Sequence, residues 1–371
     1  MPTKPHDYFP VIRLKHSECA ALPRVDRARQ SRLFPVLEAF VGGYNEKSKG
    51  TPVEQRARAW GKQRGLLREM SLGLSRAFVD LREYEGIDFR CRERDVWKDT
   101  MRVADERPGV LAPVLRLDVS NDVLSRCELD RPSWSRMVAL RLTGTDLDDV
   151  ANLSRWVAEW QKRVGKPTCS IALLVDLADK PGHRTAQRLL EELPLLREVQ
   201  HWAWLAGSFP ESLGDKEEGD HWLPRTEWTS WWAEAKSAVQ RIPAFGDYLM
   251  FSAIRPTDPF GAPSVSVRYT TDSQFFLRRG RQVKRSPHGL GQFTGHARCL
   301  TQERSEIFYG SRFSSGDAFI SRQIGPGKPA SIDEWREATI VHHIEATLAQ
   351  LSDPQGSAAV ERQTRAHATG K

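Results

Sequence analysis

A chain of 371 residues, 39% hydrophobic and 28% charged, can bury one large core or two average ones, and no apolar run is long enough to cross a bilayer. Its net charge of +7 favours anionic partners such as phosphates or nucleic acid. Five cysteines without CxxC spacing, and an opening MPTKPHDYFP without an apolar core, argue against a disulfide frame, a zinc site or a secretion signal, and point to the cytoplasm.

In chain order, strands are predicted at 9–14 (FPVIRL), 34–38 (FPVLE), 112–118 (APVLRLD), 137–142 (MVALRL), 169–176 (CSIALLVD), 199–207 (VQHWAWLAG), 247–253 (DYLMFSA) and 264–270 (SVSVRYT). Helical periodicity is clearest at 53–83, 146–164, 183–197 and 228–240. Strand–helix alternation argues for a parallel sheet, and eight strands is the number that closes a (β/α)8, TIM-barrel-like α/β domain. An open doubly wound sheet is the competitor, but no Gly-rich phosphate loop follows the first strand.

The interval 41–110 is far longer than one return between strands requires. It reads as a helical insertion after strand two, carrying the Arg-rich EQRARAWGKQRGLLREM and FRCRERDVWKD. After Thr270, DSQFFLRRGRQVKRSPHG reads as a basic, turn-like stretch, and SIDEWREATIVHHIEATLAQL as a closing C-terminal amphipathic helix. The expected organisation is a single domain over 1–351 with a small, polar, disordered tail at 352–371.

The strands carry charge on one face. Alternate side chains point to opposite sides of a strand, so Val11, Arg13 and Lys15 share a face opposed to Ile12 and Leu14. The same alternation sets Arg116 and Asp118, Arg141, and Arg268 against apolar neighbours, and Glu38 and Asp176 end their strands. In a barrel that face is the lumen, and strand C-termini build the active site. Arg13, Lys15, Glu38, Arg116, Asp118, Arg141, Asp176 and Arg268 are thus expected at one mouth.

Five cations against three carboxylates can form a silent ion-pair network, but the cationic excess favours an anion-binding pocket. Lys15, Glu38, Asp118 and Asp176 are the candidate catalytic groups. Glu38, Asp118 and Asp176 could instead gather Mg²⁺, although their spacing is no recognised metal signature.

Other features have plainer readings. On the last helix, adjacent His342 and His343 point in different directions, so at most one faces a pocket. His16 would point off the lumen face, and His183 opens a helix after the fifth strand. FGDY (245–248) reads as a turn before the seventh strand, which puts Asp247 at the non-catalytic end. Ser208 of GSFP ends the sixth strand without a GxSxG elbow around it. The run Arg278, Arg279, Arg281, Lys284, Arg285 beside Phe275 and Phe276 has nucleic-acid-patch composition, although a hairpin with a solvated basic tip is the more frequent explanation.

YFPVIRLKHSECAAL, LFPVLEAF, GSFP, FGDY, VRYTTD and EWREATIVHHI, in that order over about residues 8 to 351, resemble the phage "beta protein" family. The long Arg-rich insertion departs from its pattern. The resemblance implies a TIM-barrel-like protein of prophages and bacterial defence islands, whose namesake is an antagonist of a lethal product encoded beside it. By position the matching residues are Lys15, Glu18, Glu38, Tyr269, Trp335, Arg336 and His343.

Two functions follow as expectations. One is a component of an anti-phage defence or toxin–antitoxin-type system that binds a nearby-encoded toxin or nuclease, or a phosphate-containing ligand, with Arg13, Arg116, Arg141, Ser208, Arg268, Tyr269, Arg336 and His343 as ligand contacts. The other is an enzyme acting on a phosphorylated or nucleic-acid substrate, phosphodiesterase- or nuclease-like.

Overall fold

The structure, a computed structural model, describes residues 7–41, 49–85, 95–181, 186–237, 241–254 and 264–352. The chain divides into two units: Met1–Lys15 with Leu33–Ala206 and Ser230–Asp247, and His16–Arg32 with Gly207–Thr229 and Tyr248–Lys371.

In the first unit, β1 (Val11–Arg13), β2 (Val36–Glu38), β3 (Ala77–Asp80), β4 (Leu111–Leu115), β5 (Val138–Leu142), β6 (Ile171–Ala178) and β7 (His201–Ala206) pair in parallel, each with the next. β8 (Gly219–Pro224) belongs to another sheet, and β9 (Ala244–Asp247) takes the place after β7. Tyr8 bridges both Leu33 and Phe245, and Phe9 N donates to Phe245 O at 2.9 Å, so the ladder closes on itself. This is an eight-stranded parallel α/β barrel. Its strands read as continuous apolar runs because both faces are covered; the first seven residues of β6, IALLVDL, are all buried.

The connecting helices start and stop where their sequence dictates. Pro52–Gly73 opens on a reciprocal Thr51–Glu54 capping box with Pro52 in its first turn. Val96–Glu106 is capped by Asp95, and Val150–Val164 ends at Gly165, whose φ of 68° needs no Cβ. The N-terminal end of the barrel is filled by Phe9, Phe34 and Phe78 stacked together, with His201 tilted against Phe34.

In the second unit, β10 (Ser264–Thr270), β11 (Gln274–Gln282) and β8 form an antiparallel sheet in the order β10-β11-β8. One face packs Val267, Tyr269 and Phe276 against Phe293, Ile320 and Trp335. Helix Ser315–Arg322 lies so close to helix Ile332–Ser352 that a Cβ on Gly316 would stand 2.0 Å from Ala338 O.

Eight barrel strands were expected and eight form, but the membership differs. The interval 41–110 contains β3, only four residues long. The strand expected at 264–270 forms as β10 of the antiparallel sheet. Its alternating burial, Ser and Arg half-exposed between buried Val and Tyr, is the mark of a half-covered strand and separates it from barrel strands. The strand expected at 247–253 lies earlier, as β9, so Asp247 ends that strand at its C-terminal side and does not precede it. The stretch read as basic turn, after Thr270, is largely the nine-residue β11. His183 and residues 353–371 of the expected tail lie outside the described residues.

Candidate functional site at the barrel mouth

The register places charge in one ring. Arg13 of β1 pairs with Glu38 of β2, and Glu38 with Asp80 of β3, so the three side chains project from one face at the strand ends. Arg141 of β5, only 1% exposed, reaches into the same group. Its Nη1 donates to Glu38 Oε1 at 2.7 Å and to Asp80 Oδ2 at 2.6 Å. Its Nε and Nη2 donate to Asp176 Oδ2 on β6 at 3.0 and 2.7 Å.

The carboxylates are themselves anchored. Asp80 Oδ1 accepts from Arg82 N, and Asp176 Oδ1 from Ala178 N, both at 3.0 Å. Ala178 takes a φ of 49° where the strand ends. A planar guanidinium thus fills the point where three carboxylates converge, a task a lysine cannot perform. Among the described residues no group of three His, Cys, Asp or Glu side chains is arranged to hold a metal ion. Every nitrogen of Arg141 thus already donates to a carboxylate.

Its neighbour is an unsatisfied cation. Arg116 follows the last residue of β4 and is 14% exposed. Nη2 donates to Thr143 Oγ1 at 2.9 Å and to Asp146 Oδ2 at 3.4 Å, while Nε and Nη1 are buried with no hydrogen-bond partner. Asp118, two residues on, is exposed. Glu85, on the turn after β3, is half-buried, and its carboxyl is pushed up to about 7 by burial first and then by the charges of Asp80 and Asp118. Neither Asp80 nor Glu85 was among the expected site residues; both follow from the strand hidden in AFVDLREYEG.

Lys15 lies beyond β1, exposed, its ammonium 5.2 Å above the Phe40 ring. Asp247, fully buried, accepts a hydrogen bond from Tyr8 Oη at 2.5 Å.

The family model described as Beta protein matches residues 8–349. The chain belongs to the Beta protein family. No curated protein matches it. Two solved structures resemble this Beta protein family member weakly. The 7,8-dihydropteroate synthase of Vibrio fischeri ES114 is 10% identical at a TM-score of 0.37, covering 65% of this chain and 87% of its own. The dihydropteroate synthase of Xanthomonas albilineans, in complex with indole-2-carboxylic acid and 6-chloroguanine, is 18% identical at 0.34, with 65% and 86% covered. At those scores neither bears on ligand or chemistry.

The remaining expected contacts of this Beta protein family member lie in the second unit. Arg268 on β10 was placed in the lumen by its strand count; it stacks instead 4.4 Å from the Phe209 ring and 5.3 Å from Phe251, donating to Met250 O at 2.6 Å. Burial, then the Arg336 charge, pulls its guanidinium down to about 9. Tyr269 Oη donates to Asp317 Oδ1 at 2.6 Å and accepts from Tyr309 N at 2.9 Å. The Tyr269 ring stacks on His342 at 3.7 Å, and both His342 nitrogens face acceptors, Asp317 Oδ2 and Thr270 O, each at 2.9 Å. His343 Nδ1 meets Thr270 Oγ1 at 2.7 Å. Tyr269, Thr270, Asp317, His342 and His343 are buried, while Arg268 is half-buried.

Ser208 Oγ bonds Pro224 O and the Glu227 carboxylate. Arg336 is exposed and paired with Asp333. Of the basic run, Arg278 and Arg281 pair with Asp220 and Glu218 at 2.6 Å each, and Arg279 donates to Leu213 O.

Proposed function

We propose that the barrel mouth binds an anionic, phosphate- or carboxylate-bearing ligand through Arg116, and that this binding serves an anti-phage defence or toxin–antitoxin-type system in which the chain meets a partner effector. One observation carries the reading: Arg116 keeps Nε and Nη1 buried and unpartnered beside an arginine whose every nitrogen already donates to a carboxylate. Burying donors without acceptors costs about 1–3 kcal/mol each, a cost that an oxyanion at that position removes. The defence context rests on family membership.

The test is calorimetric titration of the full chain with sulfate or phosphate at pH 6. Arg116→Gln is expected to weaken binding at least tenfold, as for one charged hydrogen bond. Equal binding by the variant would remove Arg116 from the site.

The second reading, an enzyme acting on a phosphorylated or nucleic-acid substrate, is favoured by a single feature, a carboxyl poised to hold a proton in the same group as Arg116.

A further inference from the structure

Glu85 and Arg116 are each incomplete in a complementary sense. Arg116 offers buried N–H groups with no acceptor. Glu85 is half-buried on the turn after β3, and among the described residues its carboxyl makes no hydrogen bond and no ion pair. Both follow the C-terminal ends of adjacent parallel strands, β3 and β4, where barrels assemble their sites.

The charged and titratable groups facing Glu85 are Asp80 at the end of β3, Asp118, Arg116 itself, Arg126 on the helix Asn121–Cys127, and the Cys127 thiol, which in turn feels the Glu85 charge. Arg126 is engaged by Asp122 at 2.5 Å and lies 3.8 Å from Asp95, with its Nε buried and without a hydrogen-bond partner. Burial and the two carboxylates disfavour a third negative charge and outweigh the opposing pull of Arg116 and Arg126.

We propose that Glu85 is the proton-bearing half of the Arg116 site: its neutral carboxyl donates an O–H hydrogen bond to the same oxyanion that Arg116 holds. The site therefore selects ligands with a compact, fully ionised oxyanion group, a phosphoryl or carboxylate, that can accept from both at once. Above neutrality Glu85 loses its proton, and the donor becomes a repelling acceptor. This inference rests on anion binding at Arg116 and adds to it a proton-linked partner.

Sulfate is the probe, because it remains a dianion across the range and contributes no titration of its own. Sulfate affinity of the full chain is measured by calorimetry from pH 5.5 to 8.5. Wild type is expected to bind well below pH 7 and to lose close to tenfold per pH unit above it. Glu85→Gln keeps an N–H donor and no charge, so its affinity should be retained at high pH and its profile flat. Reciprocally, sulfate should raise the Glu85 titration midpoint followed by ¹³C NMR of labelled carboxyls in the wild-type chain, a readout that needs no variant to fold.

Arg116-dependent binding with a flat wild-type profile and an unmoved Glu85 midpoint would overturn the role of Glu85 and leave the anion reading standing. Absence of sulfate binding at every pH would overturn both.

Discussion

Arg141 and Asp176 are joined along one guanidinium edge, with Nε and Nη2 both donating to Oδ2 at 3.0 and 2.7 Å. The opposite nitrogen, Nη1, serves Glu38 and Asp80, so one cation ties together the ends of β2, β3 and β6 from its own place on β5. Such a cluster does not add much net stability, because desolvation offsets most of the attraction. What it adds is dependence: each partner requires the other.

Arg141→Met therefore strands three buried carboxylates, and the chain is expected to lose about 3–5 kcal/mol of stability in urea unfolding. Arg141→Lys should recover little, since one ammonium cannot span three acceptors. A loss under about 1 kcal/mol for the methionine variant would contradict the account of the mouth as a coupled cluster.

Acid should act on the barrel through His201. Burial, then the charges of Arg76 and Arg241, pulls this imidazole down to about 3 from an ordinary 6.5. The unfolded chain therefore binds a proton between those values that the folded chain refuses, so the stabilising contribution is complete above pH 6.5 and is lost as pH falls toward 3. Wild type should lose about 2 kcal/mol between pH 7 and pH 5 from this group. His201→Leu, beside Phe9 and Phe34, should remove that part of the slope whatever its own stability. Parallel pH profiles for the two proteins would refute it.

How far the sequence revealed this site turns on particular residues. β6 announced itself as an apolar run ending in Asp176, and Glu38 and Arg141 were legible by the same alternation. Asp80 was not, because β3 is four residues set among arginines, too short for periodicity to register. Missing one carboxylate reversed the expected balance: Arg141 meets three acids, and the open donors belong to Arg116. Arg268 erred the other way, since a strand's alternation fixes its faces but not the sheet it joins. Glu85 carried no signal of its own; a carboxyl on a turn becomes unusual only through what the fold packs beside it.

In the second unit, Tyr269→Phe tests the hydroxyl that joins Asp317 to Tyr309 N. The substitution leaves Asp317 with Ser314 and His342 but strips a fully buried N–H of its acceptor. A loss of about 1–3 kcal/mol in urea unfolding is expected. A neutral result would mean that water or a backbone shift refills the Tyr309 contact.

The helical glycines Gly316 and Gly65 should respond to alanine with opposite signs. A Cβ on Gly316 would sit 2.0 Å from Ala338 O and 3.2 Å from His342 N, both backbone atoms of helix Ile332–Ser352. Neither can yield without moving that helix off helix Ser315–Arg322, so Gly316→Ala is expected to destabilise by about 2 kcal/mol or more. Gly65 lies within Pro52–Gly73 and a Cβ there meets nothing within 4 Å. Gly65→Ala removes only the backbone entropy cost of glycine and should stabilise by about 0.5–1 kcal/mol. Thermal melts of both variants against wild type read the comparison directly; a Gly316→Ala protein that melts with wild type would show that the two helices are not in the contact described.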